Sequence, residues 1–404
     1  MTSHSLTRRT FLKDASALTL APIAASVFAA PSRGILAFIG AYTEPRDTGN
    51  NGDGIYRAWL DPHTGVLHDV TLVAKMRNPS WLAVHPSRRF LYAINEIVDY
   101  DGHNGAVTAF ALDEITGSLT QLNIVSTQGA GPAQMSLDRT GRFAFVANYM
   151  GGSIAVLPID SGGKLHDAVD VIRHEGNVGA QHATNAPRGN FAVSGHDAPH
   201  AHMIAATPDN RFVLTTDLGQ DRIYIYRFDA QTGKLAPSAG TPIVSLPTGD
   251  GPRHFAFHPN GKWVYTLQEE SSTLAFFHYN AERGALQHIQ TISALPAGFV
   301  GTNFGSEILV SSDGRFLYSA NRLQDSVAVC AIGDDGQIVL RHNTHTGGDY
   351  PRNIALSPGG RFLFSCNQHS DNIAVFRRDK STGTLTSTGF YAAVGSPAFI
   401  TFLA

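Results

Sequence analysis

Residues Arg253-His-Phe-Ala-Phe-His-Pro-Asn-Gly-Lys-Trp263 and Arg352-Asn-Ile-Ala-Leu-Ser-Pro-Gly-Gly-Arg-Phe362 follow one pattern. Each has an apolar strand, a turn, and a basic–aromatic pair that opens a second strand. Further copies end at Phe90, Phe143, Phe212 and Phe316. A third strand follows, as in Arg222-Ile-Tyr-Ile-Tyr-Arg227 and Asn372-Ile-Ala-Val-Phe-Arg377. Short runs rich in Val, Ile, Phe and Tyr, broken by Gly and Asp turns, signal an all-β chain. No sustained helical period occurs after residue 30.

A second repeat lies between these copies. Seven turns centre on Gly65, Gly117, Gly163, Gly233, Gly284, Gly336 and Gly383, at spacings of 52, 46, 70, 51, 52 and 47. Glycine supplies the positive φ that a hairpin turn needs. Four strands in about 50 residues is the signature of a β-propeller blade. The 374 residues beyond residue 30 allow about 53 for each of seven blades. The ends fit as well. Gly34–Thr43 reads as a second strand lacking its first, and Ser396–Leu403 as a first strand lacking its second. Joined, they complete one blade and close the ring, which hides the sheet edges. A β-sandwich array is the alternative, and it gives no reason for split termini. The expected fold is therefore a seven-bladed propeller of four-stranded blades, one domain over residues 31–404.

Residues 1–30 read differently. Thr7-Arg-Arg-Thr-Phe-Leu-Lys13 precedes the charge-free Ala15–Ala30. A basic start, a short apolar run and a small-residue end form a twin-arginine signal peptide, which implies bacterial export to the periplasm or beyond. No uninterrupted apolar stretch reaches the roughly 18 residues of a spanning helix. Thirty Lys plus Arg against 33 Asp plus Glu leave a net charge of −3. That balance argues against nucleic acid or an anionic membrane as partner. Two cysteines in 404 residues, Cys330 and Cys366, exclude a disulfide scaffold and a Cys-rich zinc module, and they read as free buried thiols. No Gly-rich phosphate loop or nucleophile elbow is present, so a small-molecule ligand without a nucleotide cofactor is expected.

In a hairpin, the start of one strand lies opposite the end of its partner. Counting ten residues before each aromatic anchor and six after it pairs Ser80 with Glu96, Ala133 with Tyr149 and His202 with Leu218. The same count pairs Arg253 with Glu269, Ser306 with Arg322 and Arg352 with Gln368. His202, Arg253, Glu269 and Arg322 thus come from three consecutive blades and one rim. They unite a base-capable imidazole, a carboxylate and two guanidiniums. Arg253 and Glu269 alone read first as an inter-strand ion pair, and it is the convergence of four residues that brings a site into view. The insertions Asn177–Pro199, Ile97–Gly105 and Leu295–Gly305 fall on the same rim, which marks it as the binding face. His200, Arg352, Glu96 and Gln368 are the expected neighbours in substrate binding. An alternative takes a divalent metal at His196, His200 and His202, since His200-Ala-His202 can present two rings on one strand face.

With these residues in view, the chain resembles the seven-bladed lactonases, which include propeller-type 6-phosphogluconolactonases and fungal carboxy-muconate lactonising enzymes. The likeness is carried by Gly251-Pro-Arg-His-Phe-Ala-Phe-His-Pro-Asn-Gly261, Leu267-Gln-Glu269, Pro208-Asp-Asn-Arg211, Ser306–Arg315 with Ala320-Asn-Arg322, and Asp371–Phe376. It implies a lactone hydrolase whose site is lined by His202, Arg253, Glu269 and Arg322. Glu269 is then the expected base and His202 the expected acid, or the two exchanged. A muconate-type cycloisomerase and a non-catalytic propeller resembling YVTN surface proteins are the alternatives.

Overall fold

The computed structural model describes residues 34–45, 48–191 and 195–403, so the expected signal peptide lies outside the described residues. These residues form seven antiparallel sheets and no α-helix. Each sheet runs from an innermost strand A to an outermost strand D. Blade 5 is representative, with strands Pro252–Phe257, Trp263–Gln268, Thr273–Asn280 and Ala285–Ser293 in order. Blade 4 differs only outside, where Leu235–Pro237 and Ile243–Ser245 both pair with the strand Arg222–Phe228. Blade 1 is closed as expected. Its strand A is the C-terminal Pro397–Phe402, paired with Ile35–Ala41 from Ala37 opposite Phe402 to Ala41 opposite Pro397.

The two sequence repeats turn out to be two sides of one inter-blade contact. Gly65 turns with φ at +85°, and a Cβ there would lie 2.7 Å from the Phe362 ring of the preceding blade. The same close approach sets Gly163 on Phe90, Gly233 on Phe143, Gly284 on Phe212 and Gly383 on Phe316. Hydroxyls of Tyr92, Tyr265 and Tyr318 donate to the carbonyls of Gly163, Gly336 and Gly383, at 2.8–3.0 Å. The arginine of each Arg–Phe pair then covers its own ring. Arg89, Arg142, Arg211 and Arg315 lie 5.2–5.7 Å from the centroids of Phe90, Phe143, Phe212 and Phe316. Ring size and charge account for the dipeptide, because the cation favours the aromatic face and its stem shields the apolar edge.

Seven hydrophobic clusters among the described residues each bridge adjacent blades. One joins Tyr265, Leu267 and Phe276 of blade 5 to Ile308, Leu317 and Cys330 of blade 6. Each buried Phe or Leu contributes about 1.5–3 kcal/mol, so the ring is held by its sheet-to-sheet faces. Cys330 and Cys366 are separate, buried thiols.

Strand A carries one feature that the hairpin count did not anticipate. Pro252 pairs with Gln268 but His254 pairs with Leu267, so Arg253 sits in a bulge. Register breaks likewise bracket Ala133, His202 and Arg352, and Ser306 with Glu307. A bulge inserts a residue without a ladder partner and re-aims its side chain. Here it occurs at the same step in most blades and places a row of side chains at the mouth of the channel.

Candidate active site at the A-strand rim

Glu269, one residue past the end of strand B in blade 5, lies between two guanidiniums. Its Oε2 is 2.8 Å from Nε of Arg253, and its Oε1 is 2.7 Å from Nη2 of Arg322. All three side chains are buried. Arg253 also donates to the carbonyl of Ser306. Arg322 donates to the carbonyl of Gly305 at 3.1 Å and to the Tyr350 hydroxyl at 3.3 Å. Its guanidinium lies 5.3 Å from the ring centroids of both Phe304 and Tyr350. Both arginines are thus fixed before any ligand arrives.

Burial raises the Glu269 carboxyl, but Arg322 and Arg253 outweigh it and hold it below its ordinary value. Glu269 is therefore anionic at neutral pH. Arg253 is lowered to about 10, chiefly by burial and then by the Arg352 charge, and it stays cationic.

His202 stands beside this triad. Its ring meets Tyr149 edge-on at 5.4 Å and His254 at 4.9 Å. Its Nδ1 is buried and has no hydrogen-bond partner among the described residues. Burial, joined by Arg253, His254, Arg352 and Arg322, drives its pKa well below the usual imidazole value. His202 is a neutral imidazole at working pH.

Arg352, Glu96 and Gln368 come together next to this group. Arg352 donates to the Tyr42 hydroxyl at 2.7 Å, and that hydroxyl donates to Oε2 of Glu96 at 2.8 Å. Ser80 also donates to this oxygen. Gln368 donates to Asn50 at 3.2 Å. The three line a cavity of about 400 Å³ with Tyr42, Glu44, Asn50, Tyr350 and His369. Tyr350 joins it to the Glu269 triad through Arg322.

His200 is placed differently. Its Nδ1 is 2.8 Å from the Tyr149 carbonyl and its Nε2 is 2.9 Å from Asp197. Its ring stacks on Tyr149 at 4.3 Å, behind the residue that meets His202. His196 is bound elsewhere, 3.0 Å from Asp221 and 2.7 Å from Glu270. The three histidines of the metal alternative therefore point to separate partners. Among the described residues, no group of three or more His, Cys, Asp or Glu is arranged as a metal site.

The rim insertions pack as expected around this mouth. Asn185 and His196 of the first reach Asp250 and Glu270, and Phe191 bonds Thr302 of the third at 3.0 Å. Ile97–Gly105 extends a hairpin, with Tyr100 opposite Asn104. Several lining residues escaped the sequence reading. Tyr42 follows Leu36 by six residues, and the count missed it because Leu36 replaces the aromatic anchor. Trp81, His254, Glu307 and Asn353 each follow by one residue the position that the count picked out in their blade. His254 lies 3.1 Å from Glu307, which accepts from Asn353 at 2.7 Å.

Comparison with known proteins bears on the fold and the family. The family model "Lactonase, 7-bladed beta-propeller" matches residues 36–402. A 6-phosphogluconolactonase of Bacillus subtilis is 33% identical over 369 residues, covering 91% of this chain and 98% of its own. One of Pectobacterium carotovorum is 30% identical over 80% of this chain and 87% of its own. The solved periplasmic gluconolactonase of Pseudomonas aeruginosa superposes with a TM-score of 0.81 at 32% identity, over 92% of this chain and 99% of that one. The resemblance read from the sequence is thereby met, and the chain belongs to the seven-bladed β-propeller lactonase family.

Proposed function

We propose that the chain is a lactone hydrolase that opens a sugar-acid lactone at the Glu269 rim. The carrying observation is Glu269 clamped by Arg253 and Arg322 beside a neutral His202 with an unpaired nitrogen. Lactone opening requires three things: water delivered to the carbonyl carbon, a stabilised oxyanion, and a proton for the departing ring oxygen.

Arg253 and Arg322 take the carbonyl oxygen as it gains charge. Fixed guanidiniums need no reorganisation during the step. His202 takes the proton of the attacking water on its imidazole and returns it to the ring oxygen as the C–O bond breaks. This gives His202 both the base and the acid role and leaves Glu269, the base first expected, as the anion that positions the arginines. The reason is electrostatic: both Glu269 oxygens are occupied by arginines, and His202 is uncharged at the start. As the oxyanion forms it shares the guanidiniums, and the positive field that depresses His202 weakens. Glu269 holds the two arginines apart and in register.

The Asn substitution at His202 should lower kcat by about 10²–10⁴-fold on the lactone that the parent opens. Turnover is followed by pH-stat and corrected for spontaneous opening. Unchanged turnover in His202→Asn would reject the assignment. If these side chains suffice, chelation leaves the rate intact, whereas loss on chelation would move the chemistry to a metal.

The twin-arginine pattern at Thr7–Lys13 supports export to the periplasm. A similar solved protein is named as periplasmic, and no helix among the described residues is long and apolar enough to cross a membrane.

A further inference from the structure

The cavity beside the Glu269 triad has a composition that bears on which lactone fits. Among the described residues its lining carries two carboxylates, Glu44 and Glu96, against one guanidinium, Arg352. Arg352 is already engaged, donating to the Tyr42 hydroxyl with its guanidinium 5.4 Å from the Tyr42 ring centroid. Both side-chain bonds to Glu96 fall on Oε2, which leaves Oε1 to accept from a ligand. Glu44 is 2.6 Å from Arg77, but Arg77 is shared with Asp99 at 2.9 Å, so acid remains in excess. Asn50 and Gln368 add amides that both donate and accept, and Tyr42 and Tyr350 add aromatic faces. His369 stacks on Tyr350 at 4.1 Å.

Carboxylates, amides and aromatic faces suit hydroxyl groups and the C–H faces of a polyol. A phosphate ester brings a charge of about −1.5 to −2 and only acceptor oxygens. Opposite Glu96 and Glu44 it would meet like charge, which disfavours a ligand strongly at a partly buried site. Tyr350 reaches Arg322, so a lactone whose carbonyl lies at Arg253 and Arg322 has this cavity within reach of its far end. We propose that this cavity holds the uncharged hydroxylated tail of an aldonolactone and turns away one bearing a phosphate ester. The inference rests on the hydrolase reading above for the placement of the ring. The charge argument stands on the cavity itself.

The test uses binding as well as turnover. Calorimetric titration of the full chain with gluconate and with 6-phosphogluconate should show at least about 10-fold tighter binding of gluconate. The ratio kcat/KM for the two lactones should favour the unphosphorylated one by about 100-fold. Glu96→Gln keeps the shape and removes one charge, and it should narrow both ratios several-fold. Gln368→Lys adds a cation to the same lining and should narrow them further, with melting temperatures confirming that both variants fold. Equal or reversed preference in the parent, or ratios unmoved in both folded variants, overturns the inference even if lactones are opened. A retained gluconate preference with no turnover of either lactone would support the cavity's role and sink the hydrolase reading instead.

Discussion

Replacing Glu269 by Gln removes the one anion between two buried guanidiniums and keeps its shape. Breaking a buried ion pair from one side typically costs 3–5 kcal/mol, because the remaining charge is left uncompensated. Here the lower end applies. Arg253 keeps the Ser306 carbonyl, and Arg322 keeps the Gly305 carbonyl and the Tyr350 hydroxyl. At about 2.1 cal/mol/K per residue, a chain of this size unfolds with an entropy of roughly 0.8 kcal/mol/K. A loss of about 3 kcal/mol therefore lowers the melting temperature by about 4 °C. Scanning calorimetry of the parent, Glu269→Gln, Arg322→Met and the double variant reads this directly. The double variant should lose less than the two singles together, by about 1–3 kcal/mol, since Glu269→Gln leaves uncompensated the guanidinium that Arg322→Met removes. pH adds an independent check. The folded Glu269 pKa is depressed, so its contribution is fully present above the unfolded value and is lost as pH falls through the folded one. The gap between parent and Glu269→Gln should stay constant from pH 8 to pH 5 and shrink in more acidic solution. A variant melting within 1 °C of the parent at pH 7, or strict additivity in the double variant, would refute the clamp as a coupled unit.

Two further outcomes follow from the same electrostatics. The His202 pKa lies well below 6.5, so kcat/KM should show no inflection from it between pH 6.5 and 8 and should fall only in more acidic solution. An imidazole carbon resonance assigned through His202→Asn and titrating near 6.5 would contradict this. Asp250, raised to about 7 by burial and then by the Asp221 charge, behaves in the opposite sense to Glu269. Between the unfolded carboxyl value and pH 7 the unfolded chain ionises first, so stability is lost as pH rises through that window. Asp250→Asn avoids that loss, and its melting temperature should gain on the parent from pH 4.5 to pH 7.5 and then level off. A constant difference across the range would show that Asp250 titrates normally.

Much of this protein could be read from local sequence. Strand alternation, the seven glycine turns and the Arg–Phe anchors act within a few residues of themselves, through φ preference and pleat. Their spacing was enough for blade number, ring closure and the shared rim. Counting from an anchor placed Glu269 beside Arg253, and Arg322 on the next blade, because hairpin register depends only on the turn between two strands. The count failed where a local rule was missing. Tyr42 was overlooked because Leu36 stands in place of an aromatic anchor, and the bulges at Arg253, His202 and Arg352 leave no fixed mark in composition. Three outcomes belonged to the closed ring alone: Glu269 reaching two arginines at once, the unpaired Nδ1 of His202, and the packing of His200 on Tyr149. Each depends on side chains from different blades converging at the channel mouth. There, burial and neighbouring charge, quantities that exist only in three dimensions, decide which group is ionised and which is left to act.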